Sequence, residues 1–193
     1  MPNSVAVPKY MTDPGFLFGA PLATALPTNT VAAGKFTDAW PAAWLPFGAT
    51  TEGSTFGYSS TVEPIRVAEF QDPIAFATTE RAGSMAFALA DFTLQKYKAA
   101  LNGGLAALVP TSGTGATALY ELEPPDLGSE VRIMVGWESQ DATFRIILRQ
   151  TLQGGEISSQ FGKAPAIAAI PCTFNMETPV GAAKPWKMFS TRG

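Results

Sequence analysis

Histidine is absent from the 193 residues. That absence excludes Ser-His-Asp and Cys-His catalysis, HExxH sites, His-ligated zinc and haem, and histidine pH switches. Cysteine occurs once, at Cys172. A lone cysteine excludes an internal disulfide and a multi-cysteine metal site within one chain, and it fits a reducing compartment. Charge is also scarce: 15% of residues are charged, against roughly 25% in ordinary globular domains, so much of the surface must be neutral or covered. The 13 basic residues form no run and, with 16 acidic ones, leave a net charge of −3. The gathered Lys and Arg that tight nucleic-acid binding needs are missing. No apolar stretch reaches the roughly 18 residues of a membrane span. The best, Ala164–Cys172, is broken by Pro165 and Pro171, and Pro2, Pro8 and Pro14 interrupt the N-terminus, which does not read as a signal peptide.

What remains is apolar and rich in turns: 46% hydrophobic, with 18 Gly and 16 Pro. The length suits a single domain, 1–193, able to bury roughly 70% of the surface of its unfolded chain. Residues 1–15 read as an extended arm in which Tyr10 and Met11 can dock. A strand is expected at Phe16–Leu22. Between about Ala32 and Ser60 neither strand nor helix periodicity persists, yet this stretch holds Phe36, Trp40, Trp44, Phe47, Phe56 and Tyr58. Disordered segments are poor in aromatics, so these rings have a destination. They either fold back over their own domain or bury themselves on a neighbouring subunit, where Trp and Tyr act as anchors.

Strand signals then become frequent. Thr61–Phe70 and Ile74–Arg81 flank a turn at Gln71-Asp72-Pro73. In Ser84–Phe92 the residues Met85, Phe87 and Leu89 face one way and Ala86, Ala88 and Ala90 the other, which marks a core face and a flat alanine face. One helix is expected over Thr93–Asn102, capped by Asp91 or Thr93, ended by Gly103-Gly104, and packed through Leu94, Tyr97 and Leu101. Further strands are expected at Thr117–Glu123, Glu130–Glu138, Ala142–Leu152, Ile157–Phe161 and Ile167–Asn175. With Ser139-Gln140 as the turn, Val135 would face Phe144, Ile133 would face Ile146, and Glu130 would face Arg149. The C-terminus, 179–193, reads as a second arm with Trp186, Met188 and Phe189. One helix and about nine strands give a mainly β fold: a β-barrel or β-sandwich of two packed sheets with a flanking α-helix.

No catalytic signature survives inspection. Glu121 and Glu123 share a strand face in this reading, but Glu-x-Glu is a common solvated pattern. Thr111-Ser112-Gly113-Thr114-Gly115 lacks the third glycine, lysine and following helix of a phosphate loop, and reads as a turn. Cys172, between Pro171 and Thr173, reads as a small core residue. No catalytic, metal or cofactor-binding residue is assigned, and the chain is read as not an enzyme.

The order of several features resembles the major tail protein, or tail tube protein, of long-tailed bacteriophages, especially those infecting actinobacteria. The features are the strand Phe16–Leu22, the long loop into Thr50-Thr51-Glu52-Gly53-Ser54-Thr55-Phe56, the strands through Thr78-Thr79-Glu80-Arg81, and Met85-Ala86-Phe87-Ala88-Leu89 followed by a helix and Gly103-Gly104. The resemblance covers about residues 15–105. It implies a phage tail tube fold, hexameric rings stacked into a conduit for the genome, assembly in the host cytoplasm and residence in the virion. The tape measure protein, tail terminator and distal tail or baseplate proteins would be its partners, with DNA passing through unbound and no membrane involved.

In this frame Tyr10, Trp40, Trp44, Phe47, Phe56, Tyr58 and Trp186 are the expected inter-subunit contacts. Of these, Tyr10, Trp40, Trp44, Phe47 and Trp186 are expected to be buried only in the oligomer. Glu63, Glu69, Asp72 and Glu80 are candidate lumen-facing acids, which would repel DNA, while Arg66 and Arg81 pair with acids or turn toward subunit contacts. Two other classes fit the same residues. One is a head decoration, head–tail joining or secretion-system tube protein; the other is a carbohydrate-binding β-sandwich.

Overall fold

The computed structural model describes residues 14–159, 168–181 and 184–192. Tyr10, nearly all of the N-terminal arm, and Phe161 at the end of an expected strand lie outside them. The described strands are β1 (Gly15–Pro21), β2 (Val31–Ala32), β3 (Lys35–Phe36), β4 (Leu45–Pro46), β5 (Thr50–Ile65), β6 (Ala75–Leu89), β7 (Ile133–Ser139), β8 (Phe144–Gln153), β9 (Ile170–Met176) and β10 (Trp186–Ser190), with one helix, α1 (Leu94–Ala100). Eight strands form one antiparallel sheet in the order β4-β1-β7-β8-β9-β6-β5, with β10 also paired to β8, while β2 and β3 form a separate hairpin. The mainly β expectation holds. Among the described residues the strands form one large antiparallel sheet and a small hairpin, with no closed barrel.

Instead the single sheet curls until its limbs meet. Phe47, held beside β1 by its N–H donating to Leu17 O at 2.9 Å, packs on Phe87 of β6 with ring centroids 5.6 Å apart and on Phe174 of β9 at 6.0 Å. One core therefore collects Leu17, Val135, Trp137, Ile146 and Leu148 from one limb and Met85, Phe87, Leu89, Ile170 and Phe174 from the other. Each of these large side chains contributes about 1.5–3 kcal/mol by leaving water. Met85, Phe87 and Leu89 are buried as their alternation requires, with the alanines between them half-buried.

The helix sits where the curled sheet stays open. The Thr93 hydroxyl accepts from Lys96 N–H at its start. The left-handed residue directly after the helix is Asn102 (φ 60°), just before the expected Gly103-Gly104 pair, of which Gly104 is also left-handed (φ 77°). Asparagine tolerates that conformation and adds what glycine cannot. Its amide Nδ2 donates to Gln153 O and its Oδ1 accepts from Gln153 N–H, both at 2.8 Å. Of the expected packing stripe, Tyr97 packs against the core and Leu101 is half-buried, but Leu94 is exposed, and the fully buried helix residues are Ala99 and Ala100 on the side of β9. Lys96 Nζ reaches Pro46 O on β4 at 2.7 Å.

The β7–β8 hairpin pairs differently from expectation. Trp137 faces Ile146, Val135 faces Leu148, and Glu138 faces Arg145. The reason is the turn, which spans four residues between Ser139 and Phe144 rather than two. Ser139 Oγ accepts from the N–H groups of Thr143 and Phe144, and Asp141 Oδ1 accepts from the Ser139 and Thr143 hydroxyls. From Val135 to Glu138 the slip is even, so those side chains keep their faces although their partners change; a bulge between Ile133 and Val135 then brings Ile133 opposite Thr151.

Other expected strands are absent. Residues 104–132 are irregular apart from a 3-10 turn at Gly115–Thr117 and a lone Ser112–Leu119 bridge. Glu121 and Glu123 are exposed there and share no strand. Residues 157–159 form no strand, and the C-terminal segment is not a free arm, since β10 is hydrogen-bonded along β8. Conversely, 50–60 is strand rather than loop, and β6 runs unbroken from Ala75 to Leu89.

Both faces of β7 and β8 are buried because the segment 25–47 folds over the second face. Trp40 and Trp44 lie across Gly136, where a Cβ would fall 2.5 Å from Trp40 and 2.9 Å from Trp44. Arg145, 1% exposed, points into this layer. It donates to Asp38 Oδ2 at 3.2 Å and Asp38 O at 2.8 Å, lies 3.1 Å from a Glu138 oxygen, and stacks over Phe36 with its guanidinium 4.6 Å from the ring centre. Burial pushes the Asp38 carboxyl up, but the N–H groups of Asn29 and Asp38 itself, then Arg145 and Thr28, outweigh it and hold it below its ordinary value.

Arg145→Ala strands two carboxylates, Asp38 and Glu138, without their cation, and is expected to cost about 3–5 kcal/mol in urea unfolding. A loss under about 1 kcal/mol would show that the ion cluster is not what holds segment 25–47 down. Asp141 gives a pH prediction. The Ser139 hydroxyl foremost, then Thr143 and Arg192, holds its carboxyl down to about 2 against the effect of burial. A depressed folded value stabilises the protein above the unfolded carboxylate value and loses that stability as pH falls toward 2. Asp141→Asn is therefore expected to flatten the acid limb of stability between about pH 5 and pH 2, read from melting temperatures across that range.

Candidate assembly surface

The expected contact aromatics divide into interior and surface groups. Trp44 and Phe47 are only 4% and 3% exposed within the single chain. The expectation that they are buried only between subunits is overturned for these two. Trp44 is fixed by its Nε1–H donating to Ala25 O at 2.9 Å, and Phe47 fills the curl of the sheet. Trp40 is half-buried, stacked 4.5 Å from Phe18 and donating through Nε1 to Glu138. Sequence carried one signal for this placement: a glycine at 136 inside a strand of large residues, the mark of something lying across it.

Phe56, Tyr58 and Trp186 come together at the surface. Trp186 on β10 meets Phe56 at 5.8 Å and Tyr58 at 5.6 Å, both edge to face. Phe56 and Trp186 are half-buried and Tyr58 is exposed.

Above this cluster β5 and β6 leave the body as a two-stranded ribbon. Sixteen-residue β5 pairs with β6 along its length, whereas β9 accompanies β6 only from Ser84 to Leu89. The ribbon ends in a loop, 66–74, closed by Ile74 N–H donating to Ile65 O at 3.0 Å. The strands thus stop at Ile65 and resume at Ala75, a wider tip than the expected three-residue turn.

Register separates the ribbon's two faces. Tyr58 faces Gly83, Ser60 faces Arg81, Val62 faces Thr78 and Pro64 faces Phe76. This row continues the side on which Phe56 and Met85 face the core, but beyond the body Val62 and Phe76 are exposed, Phe76 at 69%. The opposite row pairs Ser59 with Ala82, Thr61 with Glu80, and Glu63 with Ala77. Glu63 and Glu80 therefore share one face, with Arg81 on the other. Glu69 and Asp72 lie in the tip loop, so the four candidate acids do not form one set, although all four are exposed.

The far edge of β5 has no strand beside it among the described residues, while β4 at the other end of the sheet is two residues long. A long flat edge with unpaired N–H and C=O groups is a template for another chain. No helix among the described residues is long and apolar enough to cross a membrane, and no group of three or more Asp, Glu or Cys there is placed to hold a metal ion. Burial raises the Cys172 thiol to about 12 and keeps it protonated. No protein-family model matches the sequence, and no curated protein matches it significantly.

Two phenylalanines on β6 test the division between body and ribbon. Phe87→Ala, in the core, is expected to cost about 3–5 kcal/mol. Phe76→Ser, on the ribbon, is expected to leave stability within about 0.5 kcal/mol while reducing binding of a hydrophobic dye. Equal losses from the two would show that the ribbon is packed against something in the free chain.

Proposed function

We propose that this chain is a structural subunit that assembles with copies of itself into rings stacked as a tube, and that the tube is the tail conduit of a long-tailed bacteriophage. The observation that carries the reading is the β5–β6 ribbon. It projects from a folded body with one unpaired edge and an exposed apolar row through Val62 and Phe76. A monomer gains nothing from such a feature, and a solitary apolar ribbon in water is marginal. Neighbouring copies would cover it.

The opposite row supports a passage for DNA. From Thr55 to Glu63 and from Ala75 to Ala86 its residues are small, neutral or acidic, with no Lys or Arg. Phosphates gain affinity from each cation that displaces counterions, so a wall lacking cations lets duplex DNA slide. Six copies of a chain with a net charge of −3 reinforce that repulsion. Glu63 and Glu80 are the acids this reading places toward the lumen. The tape measure and end-capping proteins of such tails would be its partners.

Negative-stain electron microscopy of the purified full chain over a concentration series is the direct test. Hollow rings or tubes with about six subunits per ring are expected. Particles that remain single subunits at every concentration would overturn the proposal. Within assembled tubes, Glu63→Lys with Glu80→Lys is expected to convert a wall indifferent to duplex DNA into one that retains it at low salt, with the binding falling steeply as salt rises.

A further inference from the structure

A groove of about 390 Å³ opens at the foot of the ribbon, beside the Tyr58–Trp186 pair. Its volume lies within the roughly 300–1,000 Å³ range of ordinary ligand pockets. Met176, lying against Gly83, forms part of its lining, and Arg81 and Lys184 stand at its margin. Both cations are exposed, and neither has an ion-pair partner among the described residues. The lining carboxylate, Glu177, is already occupied: Arg132 Nε donates to it at 2.9 Å and Gln150 Nε2 at 2.9 Å. The Gln150 bond first, and then Arg132, hold its carboxyl below the ordinary value. The groove is therefore an aromatic slot with two positive charges that have no ion-pair partner among the described residues.

The ribbon's other end carries the complementary chemistry. Phe70 is 64% exposed at the tip of the loop 66–74, between Glu69 and Asp72, which are exposed and equally unpaired among the described residues. Arg66 opens the loop on the ribbon side of Phe70. We propose that the Glu69-Phe70-Asp72 knob of one copy docks in the Tyr58–Trp186 groove of the next, the ring entering against the aromatic pair and the two carboxylates meeting Arg81 and Lys184. This rests on the self-assembly reading and names the contact that drives it.

A second copy is the occupant because the chain's own knob cannot reach. Tyr58 and Ile65 are seven residues apart on one extended strand, a span of about 24 Å. The cross-strand pairing continues along that length on both sides of a single bulge at Thr61–Val62, so the ribbon cannot fold back on its own foot. Knob and groove are different surfaces of one subunit. Their contact is therefore head to tail, and it propagates into a closed ring or an open helical stack rather than stopping at a pair.

Sedimentation velocity on the full chain and two variants tests the docking. The knob variant carries Glu69→Gln, Phe70→Ser and Asp72→Asn; the groove variant carries Arg81→Glu and Lys184→Glu. All five positions are exposed, and circular dichroism with thermal melting verifies that the variants fold. Each variant alone is expected to need at least about tenfold more protein to assemble than the wild type. Mixed one to one, they are expected to form a species of two copies that grows no further, because one intact knob and one intact groove remain between them. Either variant assembling as readily as the wild type overturns the docking and leaves the tube reading in place. A wild-type chain that stays single at every concentration, with no pair in the mixture, overturns both.

Discussion

Arg145 is the interaction on which the rest of the structure depends. Its guanidinium is buried against Asp38 and Glu138 and over the rings of Phe36 and Trp40. A lone buried cation is unaffordable, and a single buried pair is often no better than apolar packing. Here the charge is met from two directions, by its cross-strand neighbour Glu138 and by Asp38 in a segment more than a hundred residues earlier. That geometry can be satisfied only if segment 25–47 lies down over the sheet. Once it does, Met134, Ile147 and Ala20 have a cover, and β7 and β8 can be apolar on both faces.

A sheet with a core on each face has used up its large side chains. Trp44 and Phe47 serve the two layers, one over Gly136 and one inside the curl, and neither is left for a partner. The apolar surface that remains includes the ribbon, the irregular stretch 104–132, where Val109, Leu119 and Leu127 are exposed, and single residues of the body such as Phe16, Leu45 and Leu94. The ribbon, built from the two longest strands, carries several exposed apolar residues on one hydrogen-bonded element. The body is closed by its own aromatics around the buried arginine, and in the proposed assembly association would fall to β5 and β6.

The alternation of Met85, Phe87 and Leu89, and the helix start at Thr93, were legible in the sequence because local pattern and burial agree there. The β7–β8 faces were legible too, yet their partners were not, since the four-residue turn depends on hydroxyl bonds between Ser139, Asp141 and Thr143 that no apolar pattern reveals. The run Thr50–Ser60 hid its strand for a different reason. Phe56 packs against the core, but the Thr, Gly and Ser residues around it give no apolar alternation to read, so β5 is legible only where Val62 and Ile65 begin. Trp40 and Trp44 looked like partner-seeking rings because a loop that folds over a sheet has neither period. Trp186 was assigned to an arm because five residues of strand are too few to show a pattern. Of the candidate acids, the common face of Glu63 and Glu80 follows from a register shift at Thr61–Val62 that the sequence does not disclose.

The two ends of the sheet are not equivalent, and in the proposed assembly this would limit how copies join. At the β4 end the strand is two residues long, and α1 holds its Pro46 carbonyl through Lys96. At the β5 end sixteen residues of edge are open. Pairing of one open edge with another would be isologous and would end at two copies, because each subunit has one such edge to offer among its described residues. Continued growth demands two unlike surfaces on each subunit. The ribbon supplies them by its length: its foot carries an aromatic groove with two cations, and its tip, about 24 Å away, carries an exposed ring between carboxylates. A shorter hairpin would bring the two within reach of each other and close them inside one chain. In the proposed assembly, ribbon length, more than any single contact, would turn a self-complementary surface into a polymerising one.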